Sequence, residues 1–203
     1  MDDAERDGPD VCACERCPAL VEARSRIVNG SGPADAALLF VGEAPGETED
    51  ERGRPFVGRS GEVLDAALAD AGLARGDVRI TNCVRCRPPD NRDPHADELA
   101  NCRDHLDAEA AAVDPTLVVA LGKVPSEHLL GRSVAVTEAA GSVAEARLGG
   151  RTRRVVISVH PAATLYDASR RETFERTVAE AASLAGVGGD GAAGGDQSRL
   201  GEF

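Results

Sequence analysis

The chain has 203 residues, a length typical of one domain, and only 2% of them are aromatic, so aliphatic side chains must build the core. Its formal net charge is −12, and Lys123 is its only lysine. No apolar run reaches the roughly 18 residues of a transmembrane helix, and the acidic start does not resemble a secretory signal, so the composition predicts a cytoplasmic protein without a membrane partner.

The acidic charge balance by itself argues against nucleic-acid binding, because phosphates favour a basic surface. An acidic surface with almost no lysine also suits a protein that works at high salt, where the Debye length falls to about 3 Å at 1 M. Under such screening the overall repulsion from DNA is weak, and single arginines still reach phosphates. The composition therefore predicts a salt-adapted protein and leaves nucleic acid open as a partner.

The predicted elements follow a polar, acidic arm over residues 1–11. Continuous apolar runs predict buried strands, and apolar residues at helical spacing predict helices. In chain order these are a strand at 36–41, a helix at 60–73, a strand at 78–84, a helix at 93–113, a strand at 116–121, a short helix ending at 131, a weak strand pair at 134–136 and 143–148, a strand at 155–159 and a helix at 170–184. From residue 187 the Gly-, Ala- and Asp-rich sequence predicts a disordered tail, 187–203.

The alternation of strands and helices predicts an α/β fold, a three-layer α/β/α sandwich around a mainly parallel four-stranded sheet. The folded domain is expected over residues 12–186. Ligands of such folds bind beyond the carboxyl ends of the strands. Three of these ends carry unusual residues, namely the Gly-Glu-Ala-Pro-Gly segment at 42–46, Asn82, and His160 followed by Pro161. They form the predicted ligand site.

Six cysteines in a chain predicted to be cytoplasmic indicate metal or cluster ligation more than disulfides. Two Cys-x-x-Cys pairs are present, Cys14 with Cys17 and Cys83 with Cys86. These four together could form a zinc site. Equally, an iron–sulfur cluster could be held by Cys14, Cys17, Cys86 and Cys102. The spacing leaves both open, with buried free thiols as a third interpretation.

Three further residues have both a structural and a functional interpretation. Phe56, one of four phenylalanines, lies in a glycine-flanked segment and is either packed on the core or a platform for a flat ring. Asn82 ends a strand, where it either forms a turn or offers an amide donor and acceptor. His160 at the last strand end is either structural or part of a site. No one of them decides the function.

The order of the motifs is more informative than any single motif. Along the chain come segment 42–46, then 53–58 (Gly-Arg-Pro-Phe-Val-Gly), 81–89 (Thr-Asn-Cys-Val-Arg-Cys-Arg-Pro-Pro), Cys102, 121–122 (Leu-Gly) and 160–162 (His-Pro-Ala). This series, spread over residues 12–185, closely resembles the family 4 uracil-DNA glycosylases, the iron–sulfur enzymes of bacteria and archaea. The resemblance implies a DNA repair enzyme that flips uracil out of DNA and hydrolyses the N-glycosidic bond, giving free uracil and an abasic site.

The resemblance also assigns the cysteines. It implies a structural [4Fe–4S] cluster without a redox role in base excision, and its ligands would be Cys14, Cys17, Cys86 and Cys102. Such a cluster ties the N-terminal segment to the loop after the second strand. Cys83 stands where the family usually has an aliphatic residue, and Cys12 lies outside the pattern, so both are expected to be spare thiols.

A uracil pocket follows from the same resemblance. Phe56 matches the phenylalanine that stacks on uracil, and Asn82 matches the asparagine that pairs with the N3–H and O4 edge. His160 matches the histidine near O2, and the loop beside base and sugar corresponds to Gly42, Glu43 and Ala44. Cytosine would mismatch a fixed Asn82 amide, and a mismatch of this kind costs a factor of roughly 10⁴ in favourable cases.

The catalytic residues expected from this pocket are Glu43, Asn82 and His160. Negative charge develops on uracil as the bond breaks, and donors near O2 stabilise it. Other glycosylase families have an aspartate where this chain has Ala44, so Glu43 is the expected activator of the attacking water. Leu165, after His160, is the expected wedge into the DNA stack. The expected phosphate contacts are Arg54, Arg59, Arg87, Arg92 and Arg170.

Two other functions stay open on the sequence alone. One is a relative that binds DNA or a free base without cleaving it, which a uracil-cleavage assay would reveal. The other is a zinc-binding α/β nucleotide protein, which would be colourless and contain stoichiometric zinc. The expected partner is uracil-containing DNA, a sliding clamp or an abasic-site endonuclease are candidate protein partners, and the protein is expected to be a monomer.

Overall fold

The structure, a computed structural model, describes residues 9–188. A five-stranded sheet crosses its centre in the order β2-β1-β3-β5-β4. The strands are β1 (Leu38–Gly42), β2 (Arg79–Asn82), β3 (Leu117–Leu121), β4 (Val143–Leu148) and β5 (Arg151–Ser158). β4 is antiparallel to β5, and the other pairs are parallel. The predicted parallel four-stranded core is present, and an antiparallel fifth strand extends it at one edge.

The edge strand pairs with β5 through a two-residue turn. Gly149 and Gly150 have φ values of 60° and 77°, the left-handed backbone that a tight hairpin requires. Because β4 pairs along its whole length, β5 begins at Arg151, four residues before the predicted strand. The predicted strand at 134–136 is wrong, because the N–H of Val134 bonds to the Glu127 carboxylate instead of a neighbouring strand.

The α-helices of residues 9–188 match four predicted helices and add three short ones. They are α1 (Pro18–Ala23), α2 (Glu47–Arg52), α3 (Arg59–Asp70), α4 (Ala96–Val113), α5 (Lys123–Leu130), α6 (Val136–Ala139) and α7 (Ala168–Ala185). Helices α3, α4, α5 and α7 correspond to the predictions within a few residues, which is the usual uncertainty of helix ends. The short helices α1, α2 and α6 were not predicted, since fewer than two turns carry little periodicity.

Different helices cover the two faces of the sheet, because successive strand residues point to opposite faces. On one face Phe40 packs in a cluster with Leu68 of α3 and Phe174 of α7. On the other face Val41 packs in a cluster with Leu106 of α4 and with residues of α5. Every residue of β1 and β3 is buried, as in parallel sheets covered on both sides. The three-layer sandwich is confirmed.

A buried ion network holds the chain around β2. Glu109 of α4 accepts a hydrogen bond from Arg79 of β2 at 2.7 Å and another from Arg85. All three side chains are at most 2% exposed. Burial acts to raise the pKa of Glu109, but the two guanidiniums hold it below its ordinary value, so the carboxylate stays charged. Removing one partner of such a pair costs about 3–5 kcal/mol. The network therefore fixes β2, which ends at Asn82, and the loop after it, in which Cys86 follows Arg85.

The two predicted ends of the domain are described only in part. In the predicted arm, the Val11 N–H bonds to Asn29 Oδ1 at 3.0 Å. In the predicted tail, Val187 packs against the core. Residues 1–8 and 189–203 lie outside the described part, so the division into arm, domain and tail stays a prediction. None of the helices within residues 9–188 has the length and apolar character that a membrane span requires.

Candidate active site

A cleft of about 380 Å³ opens at the carboxyl ends of the parallel strands. This volume is within the roughly 300–1,000 Å³ typical of small-molecule sites. Among the residues that line it are Glu43, Ala44, Phe56, Asn82 and His160. They come from the loops after β1 and β5, from the last residue of β2 and from the connection between α2 and α3. Five residues that the sequence analysis singled out separately thus line one cleft.

Gly42, the last residue of β1, lies directly against the side chains of Asn82 and Phe56. It pairs with Asn82 across the parallel strands. A Cβ atom at Gly42 would lie 2.4 Å from Asn82 Oδ1 and 2.5 Å from Phe56 Cε2. Both side chains therefore rest against the bare Cα of Gly42, and any side chain at this position would displace them.

Asn82 presents an acceptor that the protein does not use. The residue is 2% exposed, and within the described part of the chain its Oδ1 has no hydrogen-bond partner. The strand end is fixed by the N–H groups of Cys83 and Val84, which bond to the carbonyls of Gly42 and Glu43 at 2.8 and 3.0 Å. Leaving a buried acceptor unpaired costs about 1–3 kcal/mol, so the oxygen is poised for an N–H group of a ligand.

Phe56 has a strained backbone. Its φ is 52°, the left-handed region that costs a residue other than glycine about 1–3 kcal/mol. Helix α3 begins close against it, and a Cβ atom at Gly61 would lie 1.8 Å from the Phe56 carbonyl oxygen. The ring is 5% exposed and its centroid lies 5.8 Å from that of His160, at an interplanar angle of 36°. The conformation aims the ring into the cleft at the cost of local strain.

Glu49 of α2 links two loops of the cleft, and sequence reasoning missed it. One carboxylate oxygen accepts hydrogen bonds from the N–H groups of Val57 and Gly58, at 3.0 and 2.9 Å. The other accepts from the Gly46 N–H at 3.2 Å. The only signal in the sequence is an acidic residue three positions after a helix N-cap. Glu49 thereby joins the loop after β1 to the loop that carries Phe56.

His160 is held as a neutral ring. Burial lowers its pKa to about 4, although Glu49 acts in the opposite direction. The Ala162 N–H donates to Nδ1 at 3.1 Å, so Nδ1 is the acceptor nitrogen and Nε2 carries the proton. Gly122 after β3 allows the close approach, since a Cβ there would lie 3.0 Å from His160 Cβ. His160 therefore offers a neutral N–H donor at physiological pH.

Glu43 is one of two carboxyl groups that share a hydrogen bond at the cleft. Burial raises the pKa of Glu43 to about 7, and repulsion and a hydrogen bond from Asp93 act in the same direction. Asp93 was not among the predicted site residues, because it is 50 positions away in sequence. A carboxyl with this pKa exchanges a proton near neutral pH, which is what a general base requires.

Comparison with known proteins decides the family. The family model of the uracil DNA glycosylase superfamily matches residues 29–182. The type-4 uracil-DNA glycosylase of Archaeoglobus fulgidus is 36% identical, over 92% of this chain and 94% of its own length. That of Thermotoga maritima is 40% identical, over 77% of this chain and 80% of its own length. A type-5 uracil-DNA glycosylase of Pyrobaculum aerophilum is 34% identical, over 85% and 89%.

The chain belongs to the type-4 uracil-DNA glycosylases.

The predicted wedge and phosphate contacts of this type-4 glycosylase stay predictions, and the structure gives their exposure and present partners. Leu165, the predicted wedge, is partly buried, whereas its neighbour Tyr166 is 84% exposed. Several predicted phosphate contacts are already bound to acidic groups: Arg92 to Glu98 at 2.6 Å, Arg87 to Glu47 at 3.5 Å and Arg170 to Asp167 at 3.1 Å. Arg59 instead donates to the Tyr166 hydroxyl.

Away from the cleft, the glycosylase has a second small pocket, which is lined by Cys14, Cys17, Cys86 and Cys102. Cys83 does not line it and is fully buried in the core cluster of β1 and α4. Cys12 is exposed. Within residues 9–188, no group of three or more His, Cys, Asp or Glu side chains has the arrangement that a single metal ion requires. A zinc site that includes Cys83 does not fit this arrangement.

Two side chains donate hydrogen bonds to sulfur at this pocket. Arg24 Nη1 lies 2.9 Å from Cys86 Sγ, and its Nη2 donates to the Cys14 carbonyl at 2.8 Å. Asn101 Nδ2 lies 3.5 Å from Cys17 Sγ. Burial raises the pKa of the Cys102 thiol to about 11, although Arg85 acts in the opposite direction, and a bound metal would favour the thiolate. The donor set fits thiolates that are held by a metal cluster.

Proposed function

We propose that this glycosylase takes a flipped uracil into the cleft and hydrolyses its N-glycosidic bond, giving free uracil and an abasic site. The observation that carries the proposal is the arrangement of three side chains that line one cleft. The Phe56 ring and the Asn82 amide meet at Gly42, and the Asn82 oxygen has no hydrogen-bond partner among the described residues. The neutral imidazole of His160 lies 5.8 Å from the Phe56 ring. Uracil offers a matching flat face, an N–H edge and a carbonyl oxygen. Flipping is required because these groups cannot reach a base inside a duplex.

Recognition rests on the amide of Asn82. Its Oδ1 accepts from uracil N3–H, and its Nδ2 donates to O4. Cytosine has an acceptor at N3 and an amine at C4, so both contacts become repulsive while the amide keeps this orientation. Phe56 can stack on either base, so it contributes to the affinity for a pyrimidine but not to the specificity for uracil over cytosine. The loop of Gly42, Glu43 and Ala44 lies beside base and sugar.

The bond breaks as the electron pair of the C1′–N1 bond moves onto uracil. The Nε2–H of His160 donates to O2, where negative charge develops, and a neutral ring does this without giving up its proton. A water molecule then adds to C1′, and its proton passes to the ionised carboxylate of Glu43. Ala44 offers no alternative base in the loop. His160, Asn82 and Glu43 are the proposed catalytic residues.

The test of the function is an oligonucleotide that contains one uracil. We expect an alkali-labile abasic site and one equivalent of free uracil, in buffers from low to high salt. The same oligonucleotide with cytosine at that position is the control and is expected to stay intact. If DNA is bound but no uracil is released at any salt concentration, the protein is a binding relative and not a glycosylase.

The rate of excision is expected to follow the ionisation of Glu43. Because the carboxylate must be charged to accept a proton and its pKa is about 7, the single-turnover rate should rise roughly tenfold between pH 6 and pH 8. The Glu43→Gln variant should be about 10²- to 10⁴-fold slower, and its rate should no longer rise over this range. A wild-type rate that does not change from pH 5 to pH 9 would exclude Glu43 as the base.

We also propose that the second pocket holds a [4Fe–4S] cluster on Cys14, Cys17, Cys86 and Cys102. Support comes from the shared pocket of these four cysteines and from the N–H donors of Arg24 and Asn101. When bound, such a cluster supplies a structural cross-link between the N-terminal segment, the loop after β2 and helix α4. The cleft residues do not take part in it.

For a protein partner, we infer that a sliding clamp binds the C-terminal segment. Leu200 and Phe203 are the two large apolar residues of the segment 190–203, and they offer anchors for an apolar groove of a partner. Both residues lie outside the described part, so the sequence alone carries this inference. An abasic-site endonuclease partner, a monomeric state and a cytoplasmic location stay predictions.

The clamp contact predicts a specific effect of the tail. A double variant, Leu200→Ala with Phe203→Ala, should bind the clamp of the same organism at least about tenfold more weakly in a titration. Its excision of uracil from a short oligonucleotide should equal that of the wild type, because the cleft is unchanged. The Ser198→Ala variant is the matched control. Equal clamp affinity of the double variant and the wild type would contradict the inference.

A further inference from the structure

Tyr166 is the only tyrosine of the chain, and 84% of it is exposed. A single exposed aromatic residue is ordinary by itself. This one, however, lies six residues after His160 and follows the short 3₁₀ helix Pro161–Thr164, in which Ala162 lines the cleft. Pro161 and Thr164 are buried, and the Thr164 hydroxyl donates to the Pro161 carbonyl at 2.7 Å. The ring therefore projects from a firm turn at the mouth of the cleft.

Arg59 contacts both the hydroxyl group and the ring of Tyr166. Its Nη1 donates to the Tyr166 hydroxyl at 3.3 Å, and its guanidinium carbon lies 5.8 Å from the ring centroid. Arg59 is the first residue of α3, next to Ser60, which lines the cleft. The contact spans 107 positions of sequence and orients a side chain that would otherwise be free to rotate in water.

The charges near the mouth also single out this pair. The chain carries a net charge of −12, and the rim arginines Arg87 and Arg92 are bound to carboxylates. Arg59 contacts a neutral hydroxyl and an aromatic ring instead, so its charge remains available to a phosphate. Proteins that bind single-stranded nucleic acid combine cations, which contact the phosphate backbone, with aromatic rings, on which the bases stack.

We propose that Tyr166, oriented by Arg59, stacks on the DNA base next to the flipped uridine, with Arg59 on the adjacent phosphate. This role of Tyr166 rests on the proposed uracil excision. Tyr166, and not Leu165, would then fill the space that the flipped uridine leaves among the stacked bases. Leu165 is already partly covered by protein and has less apolar surface to offer. Stacking of this kind accounts for about a 10- to 100-fold gain in binding.

The test compares Tyr166→Ala, Tyr166→Phe and Leu165→Ala on duplex and single-stranded DNA with one uracil. Tyr166→Ala should lower kcat/KM on a U·A duplex about 10- to 100-fold and affect single-stranded DNA much less, because only the duplex must be held open. Tyr166→Phe keeps the stacking face and should stay within about threefold of the wild type. Full duplex activity of Tyr166→Ala, or a larger loss from Leu165→Ala at unchanged Tm, overturns the proposal.

Two further readouts separate this proposal from the proposed function. A 2-aminopurine base placed beside the uracil should give a smaller fluorescence change on binding to Tyr166→Ala than to the wild type. For Arg59→Met, the slope of log Kd against log salt should fall by about one unit, as expected for one lost phosphate contact. These measurements need no base excision, so they test Tyr166 and Arg59 even if the wild type releases no uracil. The proposal is contradicted if Tyr166→Ala gives the same fluorescence change as the wild type and Arg59→Met gives the same salt slope as the wild type.

Discussion

Replacement of Asn82 by alanine is expected to lower kcat/KM for uracil excision by about 10³- to 10⁴-fold. Both hydrogen bonds to the pyrimidine edge disappear, and the buried site is left without a partner for uracil N3–H and O4. The fold should be unaffected, because Asn82 Oδ1 bonds to no described residue of the protein. The measurement is single-turnover excision, with Tm determined in parallel.

The matched control is Asn29→Ala, which removes an asparagine that bonds to Val11 outside the cleft. Its excision rate should remain within about threefold of the wild type, as for a substitution far from a functional site. Wild-type activity of Asn82→Ala would show that another group reads the pyrimidine edge. A large fall in Tm for Asn82→Ala would instead assign the residue a structural role.

The second large effect is expected at the cysteine pocket. Cys86→Ala should lose the brown colour and the bound iron, and its stability should fall by several kcal/mol, because a cluster that binds only the folded chain contributes its binding free energy to folding. Iron content, visible absorbance and Tm should therefore fall together. The cross-link that it removes is the one that joins the loop after β2 to the N-terminal segment.

Cys83→Ala is the matched control, three residues away in the same loop. Cys83 is fully buried in a different apolar cluster, and burial raises the pKa of its thiol far above the ordinary value. Its replacement should keep the iron and cost only the loss of one small buried side chain, about 1 kcal/mol. Loss of iron in Cys83→Ala, or retention of the cluster in Cys86→Ala, would contradict the ligand assignment.

The four parallel strands could be read from the sequence because parallel strands are buried on both faces and so are continuously apolar. The edge strand β4 has a weaker pattern, since only one of its faces is covered. The turn at Gly149 and Gly150 is a hairpin signal that would have placed the start of β5 correctly. The helix predicted to end near Val113 does end there, at a left-handed Asp114.

At the cleft, the sequence indicated residues whose type is unusual for their local position. Asn82 at a strand end and Phe56 between glycines are examples, and both line the cleft. Glu49 and Asp93 could not be found in this way, because an acidic residue near a helix start is common on any surface. Leu165 is the predicted wedge because of its residue type, and the greater exposure of Tyr166 is visible only in the structure.

The main strands and helices and the polar strand ends could be read from the amino-acid sequence, because each depends on residues that are close together in the chain. The family resemblance could be read as well, because it depends on the order of short motifs along the chain. Only the folded structure brings together the side chains that interact across the cleft and its rim. Glu43 meets Asp93 and Arg59 meets Tyr166 only after the sheet has formed. The low pKa of His160 has the same origin, since it depends on how far folding excludes water.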